Sequence, residues 1–243
     1  FLKRGSDKEV SQVPCETGKT RLMVPDKTLT ILPPALEGEA GALTELFHIY
    51  EAAMKVIAVR LEILDAEFKN LHDHNPIHHT EARVKSLDSI LQKLERKGLD
   101  PTIENIQHYI TDVAGLRIVC PYVDDIYLLD NLLSQQEHIV IVRRSDYIEH
   151  PKPNGYRSLH LIVRVPVPLA DRTAHAPVEI QLRTIAMDMW ASLEHELHYK
   201  SRFQPVEHLS ERLKLCANTL SDVDLRMQEI FDYLNGQRSG DEE

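Results

Sequence analysis

Val178-Glu179-Ile180-Gln181-Leu182-Arg183-Thr184 alternates apolar and polar side chains without a break. Strand side chains have period two, so Val178, Ile180 and Leu182 take one face of a strand over 177–183, and Glu179, Gln181 and Arg183 take the other. Residues 115–120 and 159–167 are β-branched and apolar enough for buried strands, and a further strand is expected over 138–143. The stretch 146–160, DYIEHPKPNGYRSLH, runs straight into one of them. Its Pro151, Pro153, Asn154 and Gly155 are loop chemistry. A loop carrying Lys152, Tyr156, Arg157 and His160 on a rigid strand suits a flat, anionic ligand such as a nucleotide.

Two long helical stripes enclose these strands. Leu43, Phe47, Tyr50, Met54, Ile57, Leu61, Leu64, Phe68 and Leu71 alternate steps of four and three. Leu209, Leu213, Cys216, Leu220, Val223, Met227, Ile230 and Leu234 repeat the pattern. Each seam exceeds about 35 Å, long for a domain this size, so part of it is expected to meet another copy of the chain. Helices are also predicted over 82–97, 124–134 and 184–199. The first has Val84, Leu87, Leu91 and Leu94 on its apolar stripe and Lys85, Ser89, Lys93 and Arg96 opposite. Strands mixed with helices imply an α/β sheet domain. The expected organisation is a proline-bearing flexible arm over 1–40, a domain over 41–203 and a C-terminal helix over 204–243.

The chemistry resides in Asp112 and Glu179. These carboxylates belong to separate strands, and each is followed by an arginine, Arg117 or Arg183. Magnesium takes one or two protein carboxylates and completes its shell with phosphate oxygens and water, so the pair amounts to a minimal Mg-nucleotide site. The arginines neutralise the charge left over.

Residues 111–117 (TDVAGLR), 146–160 and 178–184 (VEIQLRT), in this order, resemble the synthetase domain of the RelA/SpoT family, the guanosine tetra- and pentaphosphate (alarmone) synthetases. NPI at 75–77, RVK at 83–85 and MDMWASLEH at 187–195 complete the pattern. The similarity covers residues 74–200, and the short chain resembles the small, single-domain members. The resemblance implies a nucleotidyltransferase-like fold, with a mixed sheet and long flanking helices. It implies Mg²⁺-dependent transfer of the β,γ-pyrophosphoryl group of ATP to the 3′-hydroxyl of GDP or GTP, with AMP leaving. By the same resemblance Asp112 and Glu179 hold the metal, and Glu179 assists the 3′-hydroxyl. Arg83 and Arg117 sandwich the adenine, and Lys85, Ser89 and Lys93 bind the ATP donor. Tyr156 stacks on guanine with His160 and Gln181 nearby, and Lys152 and Arg144 serve the acceptor. Asp188 and Ala191 line the guanine edge. A homo-oligomer, a tetramer by resemblance, is expected.

Two departures stand out. Ser145 occupies a position that is basic in many members, with Arg143 and Arg144 just before it. Residues 78–82, HHTEA, differ from the Phe, Thr and Gly of some members in a region that contributes to a regulatory site. Competing readings are a catalytically silent guanine-nucleotide sensor, a single-stranded RNA binder, and an enzyme using another acceptor such as GMP or an adenine nucleotide. The presence of both carboxylates opposes the first. The net charge of −10 opposes nucleic-acid binding.

Other motifs fail on spacing. Gly18-Lys19-Thr20 ends like a P-loop, but Val13 stands where the first glycine belongs. Glu194–His198 lacks the zinc-helix spacing, and the histidines at 72, 74, 78 and 79 form a tract that could bind a transition metal. His72-Asp73 resembles the metal dyad of an alarmone hydrolase domain, which needs a long upstream segment, so synthesis without hydrolysis is expected. Three unpatterned cysteines and the lack of a long apolar run predict a cytoplasmic protein.

Overall fold

The computed structural model describes residues 21–23, 34–201 and 208–238, so most of the expected arm lies outside the described residues. Six strands form one mixed sheet: β1 (Arg21–Met23), β2 (His79–Val84), β3 (Ala114–Cys120), β4 (Val140–Asp146), β5 (Leu159–Pro168) and β6 (Thr173–Thr184), in the order β1-β2-β3-β6-β5-β4. β1–β2 and β3–β6 pair in parallel and the other neighbours antiparallel. The mixed α/β architecture expected from the sequence is the one observed.

Helix α1 (Ala40–Leu71) lies across one face of this sheet and buries Leu43, Leu46, Tyr50, Ala53, Met54, Ile57, Ala58 and Leu61. Ala82, Leu116, Ile118, Ile180, Leu182, Leu161 and Val163 meet it from the strands in one continuous core. The stripe then runs out of partners, and Leu71 at its end is largely exposed. Ile126, Leu129 and Leu133 of α4 (Val123–Gln135) join the same core. The opposite face of the central strands is therefore left free to carry polar side chains.

The helix expected over 82–97 is corrected. Residues 79–84 are strand, and α2 (Leu87–Arg96) begins only after Ser86, whose hydroxyl accepts a hydrogen bond from the Ser89 N–H. Thr80, Ala82 and Val84 are buried at alternate positions, as a strand requires. Two of the three are small or polar, so the period-two signal is faint, and pairing with β3 rather than local propensity decides the outcome. Ile90 and Leu94 are the residues α2 buries. The sequence pattern also missed α3 (Ile103–Tyr109), capped by the Thr102 hydroxyl at 3.1 Å from the Asn105 N–H.

Helices α5 (Ile185–Ser201) and α6 (Leu209–Arg238) complete the fold. Leu213 and Ala217 of α6 bury against Trp190 of α5, whose indole N–H donates to the Leu213 carbonyl at 2.9 Å. Further along, the inward face of α6 is Asp224, Gln228 and Phe231. Asp224 accepts from the Thr184 hydroxyl at 2.6 Å, the Gln228 amide oxygen from the Asp124 N–H at 3.1 Å, and Phe231 stacks on Tyr122. The second half of the predicted stripe, Val223, Met227, Ile230 and Leu234, is consequently turned to solvent.

Candidate active site

The strand registers arrange the free face of the sheet in rows. One row reads Ser145, His160, Gln181, Arg117 and Glu81, and the next reads Arg143, Ile162, Glu179, Gly115 and Arg83. Parallel pairing of β3 with β6 is what brings Asp112, just before β3, towards Glu179. A cleft of about 440 Å³ opens here, with Arg83, Lys85, Asp112, Arg117, Glu179 and Gln181 in its lining. Gly115 leaves the floor between Arg83 and Glu179 without a side chain.

Asp112 Oδ2 accepts from Lys85 Nζ at 2.5 Å and Lys93 Nζ at 2.7 Å, while Oδ1 is buried without a hydrogen-bond partner. Burial pushes the Asp112 carboxyl up, but the two ammonium groups outweigh it and hold it below its ordinary value. Glu179 behaves alike. Burial raises its carboxyl, and His160 and the Gln181 amide reverse the shift, leaving it lowered. His160 Nδ1 lies 3.1 Å from Glu179 Oε1, and Gln181 Nε2 donates to Oε2 at 2.9 Å. An ionised carboxylate only accepts, which places the His160 proton on Nδ1. His160 Nε2 lies 2.7 Å from the Tyr156 hydroxyl oxygen.

Arg183, which the sequence reading assigned with Arg117 to neutralising nucleotide charge, is instead tied up as the hub of the far side of the site. It is 5 % exposed, and it donates to the Tyr156 hydroxyl at 2.7 Å, the Gln181 amide oxygen at 2.8 Å and Asp188 Oδ1 at 3.1 Å. Nη1 and Nη2 of this buried guanidinium tie these groups together and Asp188 offsets its charge, while Nε is buried without a hydrogen-bond partner. Its signals in the sequence were period-two alternation with Glu179 and its place as the arginine that follows that carboxylate. Tyr156 also faces Trp190, and Ala191 packs on the same cluster. Lys152 Nζ sits 4.6 Å from the ring centroids of both Tyr147 and Tyr156.

Three expected residues lie apart. Arg144 is corrected: its register partner Leu161 belongs to the core face, so Arg144 points away from His160 and pairs with Asp130 of α4 at 2.8 Å and with Asp146 at 3.6 Å. Arg157 turns to α6 and donates to Asn218 at 3.1 Å. Ser89 stands in the first turn of α2, one turn before Lys93, with its hydroxyl 2.9 Å from that of Ser86. In the histidine tract, His74 is paired with Asp125 at 2.8 Å and the Nδ1 atoms of His78 and His79 are 2.8 Å apart. Among the described residues no three His, Cys, Asp or Glu side chains converge as a metal site. No described helix is long and apolar enough to cross a membrane.

A mixed sheet bearing two lowered carboxylates, converging cations and a neighbouring Tyr147–Tyr156–Trp190 cluster is the design of a nucleotide-dependent transferase. Residues 82–204 match the sequence profile described as "Region found in RelA / SpoT proteins". The GTP pyrophosphokinase YwaC of Bacillus subtilis is 45% identical over 182 residues, which span 75% of this chain and 87% of that protein. The crystal structure of small alarmone synthetase 2 from Bacillus subtilis superposes with a TM-score of 0.72 at 42% identity, covering 79% of this chain and 99% of that one. Small alarmone synthetase 1 from the same organism, bound to its product pppGpp, gives 0.73 at 34% identity, covering 80% and 99%. The chain belongs to the RelA/SpoT family.

Proposed function

We propose that this chain is a GTP pyrophosphokinase that makes the alarmones pppGpp and ppGpp, moving the β,γ-pyrophosphoryl group of ATP to the 3′-hydroxyl of GTP or GDP and releasing AMP. Family membership and the activity in the names of its relatives support the reaction. The observation that supports the site is that Asp112 and Glu179 line one cleft with Arg83, Lys85 and Arg117, and that His160 joins Glu179 to the Tyr156 cluster beside it.

In the forward step the acceptor 3′-oxygen attacks the β-phosphorus of ATP, the bond between the α,β-bridging oxygen and the β-phosphorus breaks, and AMP leaves with that oxygen. Such chemistry asks the protein for position and charge. Arg83 and Arg117 flank the adenine with their guanidinium planes, and Lys85 and Lys93 neutralise donor phosphates. Tyr156 stacks on the guanine once Lys152 leaves its ring for the acceptor phosphates. Glu179, fully ionised near neutral pH, accepts the hydrogen bond of the 3′-hydroxyl and takes its proton as the new P–O bond forms, while His160 and Gln181 hold its orientation. Asp112 and Glu179 suit a magnesium ion, for Asp112 keeps one buried oxygen unpartnered; when bound, the ion supplies charge stabilisation on the donor phosphates and the leaving group.

The outward apolar face of α6, Val223, Met227, Ile230 and Leu234, supports a homo-oligomer. Replacing Met227 and Ile230 together by Glu lowers the mass seen in light scattering, and an unchanged mass removes this face from the assembly. A cytoplasmic location fits nucleotide substrates and the free thiols of Cys120 and Cys216. The defining experiment incubates the chain with Mg²⁺, γ-labelled ATP and each of GMP, GDP, GTP and ADP. Label in a guanosine 3′-pyrophosphate with equimolar AMP is expected; labelled inorganic phosphate alone refutes the assignment.

A further inference from the structure

Glu81 has no role in the reading above, yet it holds one of the two adenine-flanking arginines. Arg117 Nη1 lies 3.1 Å from Glu81 Oε2 and 3.3 Å from Asp188 Oδ1, so one nitrogen is shared between a carboxylate of the donor cleft and one of the acceptor pocket. Asp188 Oδ1 is shared in turn, since Arg183 Nη1 reaches the same oxygen at 3.1 Å. Arg117 Nε is meanwhile buried without a hydrogen-bond partner, so this resting position leaves a donor unmet.

We infer that Glu81 and Asp188 compete for the Arg117 guanidinium, that Glu81 is the positioning residue setting this partition, and that the exchange couples the two nucleotide sites. The inference rests on the proposed roles of Arg117 at adenine and Asp188 at guanine. Guanine offers two adjacent donors, N1–H and N2–H, to a carboxylate, and pairing with both occupies both oxygens. Oδ1 already carries two cations, so guanine pairs fully only when Arg117 withdraws. Stacking of Arg117 on adenine is that withdrawal. Donor binding therefore tightens acceptor binding, and linkage requires acceptor binding to tighten donor binding by the same factor. Glu81 draws Arg117 the same way. At 48% side-chain exposure against 16% for Asp188, it is the better-solvated and weaker of the two partners, so it biases the partition without trapping the arginine.

The test measures GDP binding to the full chain by calorimetry with Mg²⁺, with and without an ATP analogue bridged by methylene between the α- and β-phosphates. In the wild-type chain the analogue tightens GDP several-fold. Glu81→Gln lets Arg117 settle on Asp188, so GDP alone binds about two- to fivefold more weakly, the size expected for one half-exposed ion pair. With the analogue bound the variant matches wild type. Arg117→Ala gives effects of opposite sign, weakening the analogue while tightening GDP measured alone. Equal GDP affinity with and without the analogue overturns the coupling, as does an Arg117→Ala chain that loses affinity for both nucleotides. A Glu81→Gln defect that persists with the analogue bound removes Glu81 from the exchange. Failure of GDP or the analogue to bind at all would instead count against the proposed function.

Discussion

Gly155→Ala tests how the loop proposed to bind the acceptor is held. Gly155 lies at φ +94°, and its N–H closes a turn onto the Lys152 carbonyl at 2.8 Å, three residues from one acceptor candidate and next to Tyr156. A Cβ built there comes to 2.7 Å from the Ala217 Cβ and 3.0 Å from the Lys214 Cα. Neither is the end of a flexible side chain, so helix or loop has to move. The left-handed conformation costs an L-residue about 1–2 kcal/mol and the forced overlap about 1–3 kcal/mol more, roughly 2–5 kcal/mol together. Urea unfolding then shifts to a lower midpoint, by about 1–2 M for a slope of roughly 2–3 kcal/mol/M. If the loop yields first, part of the cost appears as a raised KM for the guanine nucleotide with the ATP KM unchanged. Adding Ala217→Gly removes the overlap with that methyl but not the backbone strain, so the double variant recovers only part of the loss. A Gly155→Ala chain destabilised by less than about 1 kcal/mol, with both KM values unchanged, refutes this account of the junction.

Gly115→Val probes the other glycine with the opposite expectation. Its Cβ meets only backbone oxygens of Arg83 and Glu179, at 3.8 and 3.9 Å, so the sheet accepts a branched residue while the cleft proposed for the donor is filled. Stability holds within about 1 kcal/mol and the ATP KM rises at least tenfold; unchanged ATP kinetics would place the donor elsewhere. Glu179→Gln abolishes turnover while calorimetric binding of GDP persists, and a variant retaining most of its kcat excludes Glu179 from the chemistry. The pH dependence of stability separates two kinds of carboxylate. Asp112 and Glu179 are held low, so the stability they contribute is present above the ordinary carboxylate range, near pH 4, and lost as pH falls through their lowered values. Asp224 is raised, by burial against the opposing Thr184 and Arg157, and its contribution is complete below the ordinary value and lost as pH rises through the raised one. Asp224→Asn is therefore less damaging at pH 7 than at pH 4 in urea melts, and an equal loss at both excludes titration of Asp224.

Local pattern was enough for what is local. A β-branched apolar run marked β5, alternation marked β6 and heptad steps marked α1 and α6; the carboxylates stood out because Glu179 lies in the alternating strand and Asp112 just before an apolar one. The resemblance then supplied roles for residues that spacing could not assign. β2 escaped because Thr80, Ala82 and Val84 carry too little apolar surface to announce a strand, and because Val84 and Lys85 fit the two faces of a helix over 82–97 equally well. Its identity comes from hydrogen bonds to β3, a non-local event. The same holds for faces. Nothing in the order Arg143-Arg144-Ser145 says which side chain joins His160, but the β4–β5 register turns Arg144 to Asp130 and away from the pocket. Arg183 became a hub, and Arg117 a shared cation, only when parallel pairing of β3 with β6 and the start of α5 brought Asp188 within reach of both. The sequence by itself determined which residues could do chemistry and which segments bury. Tertiary structure decided which of them face one another, because strand register and helix placement are set by the burial of distant partners that no short window of residues contains.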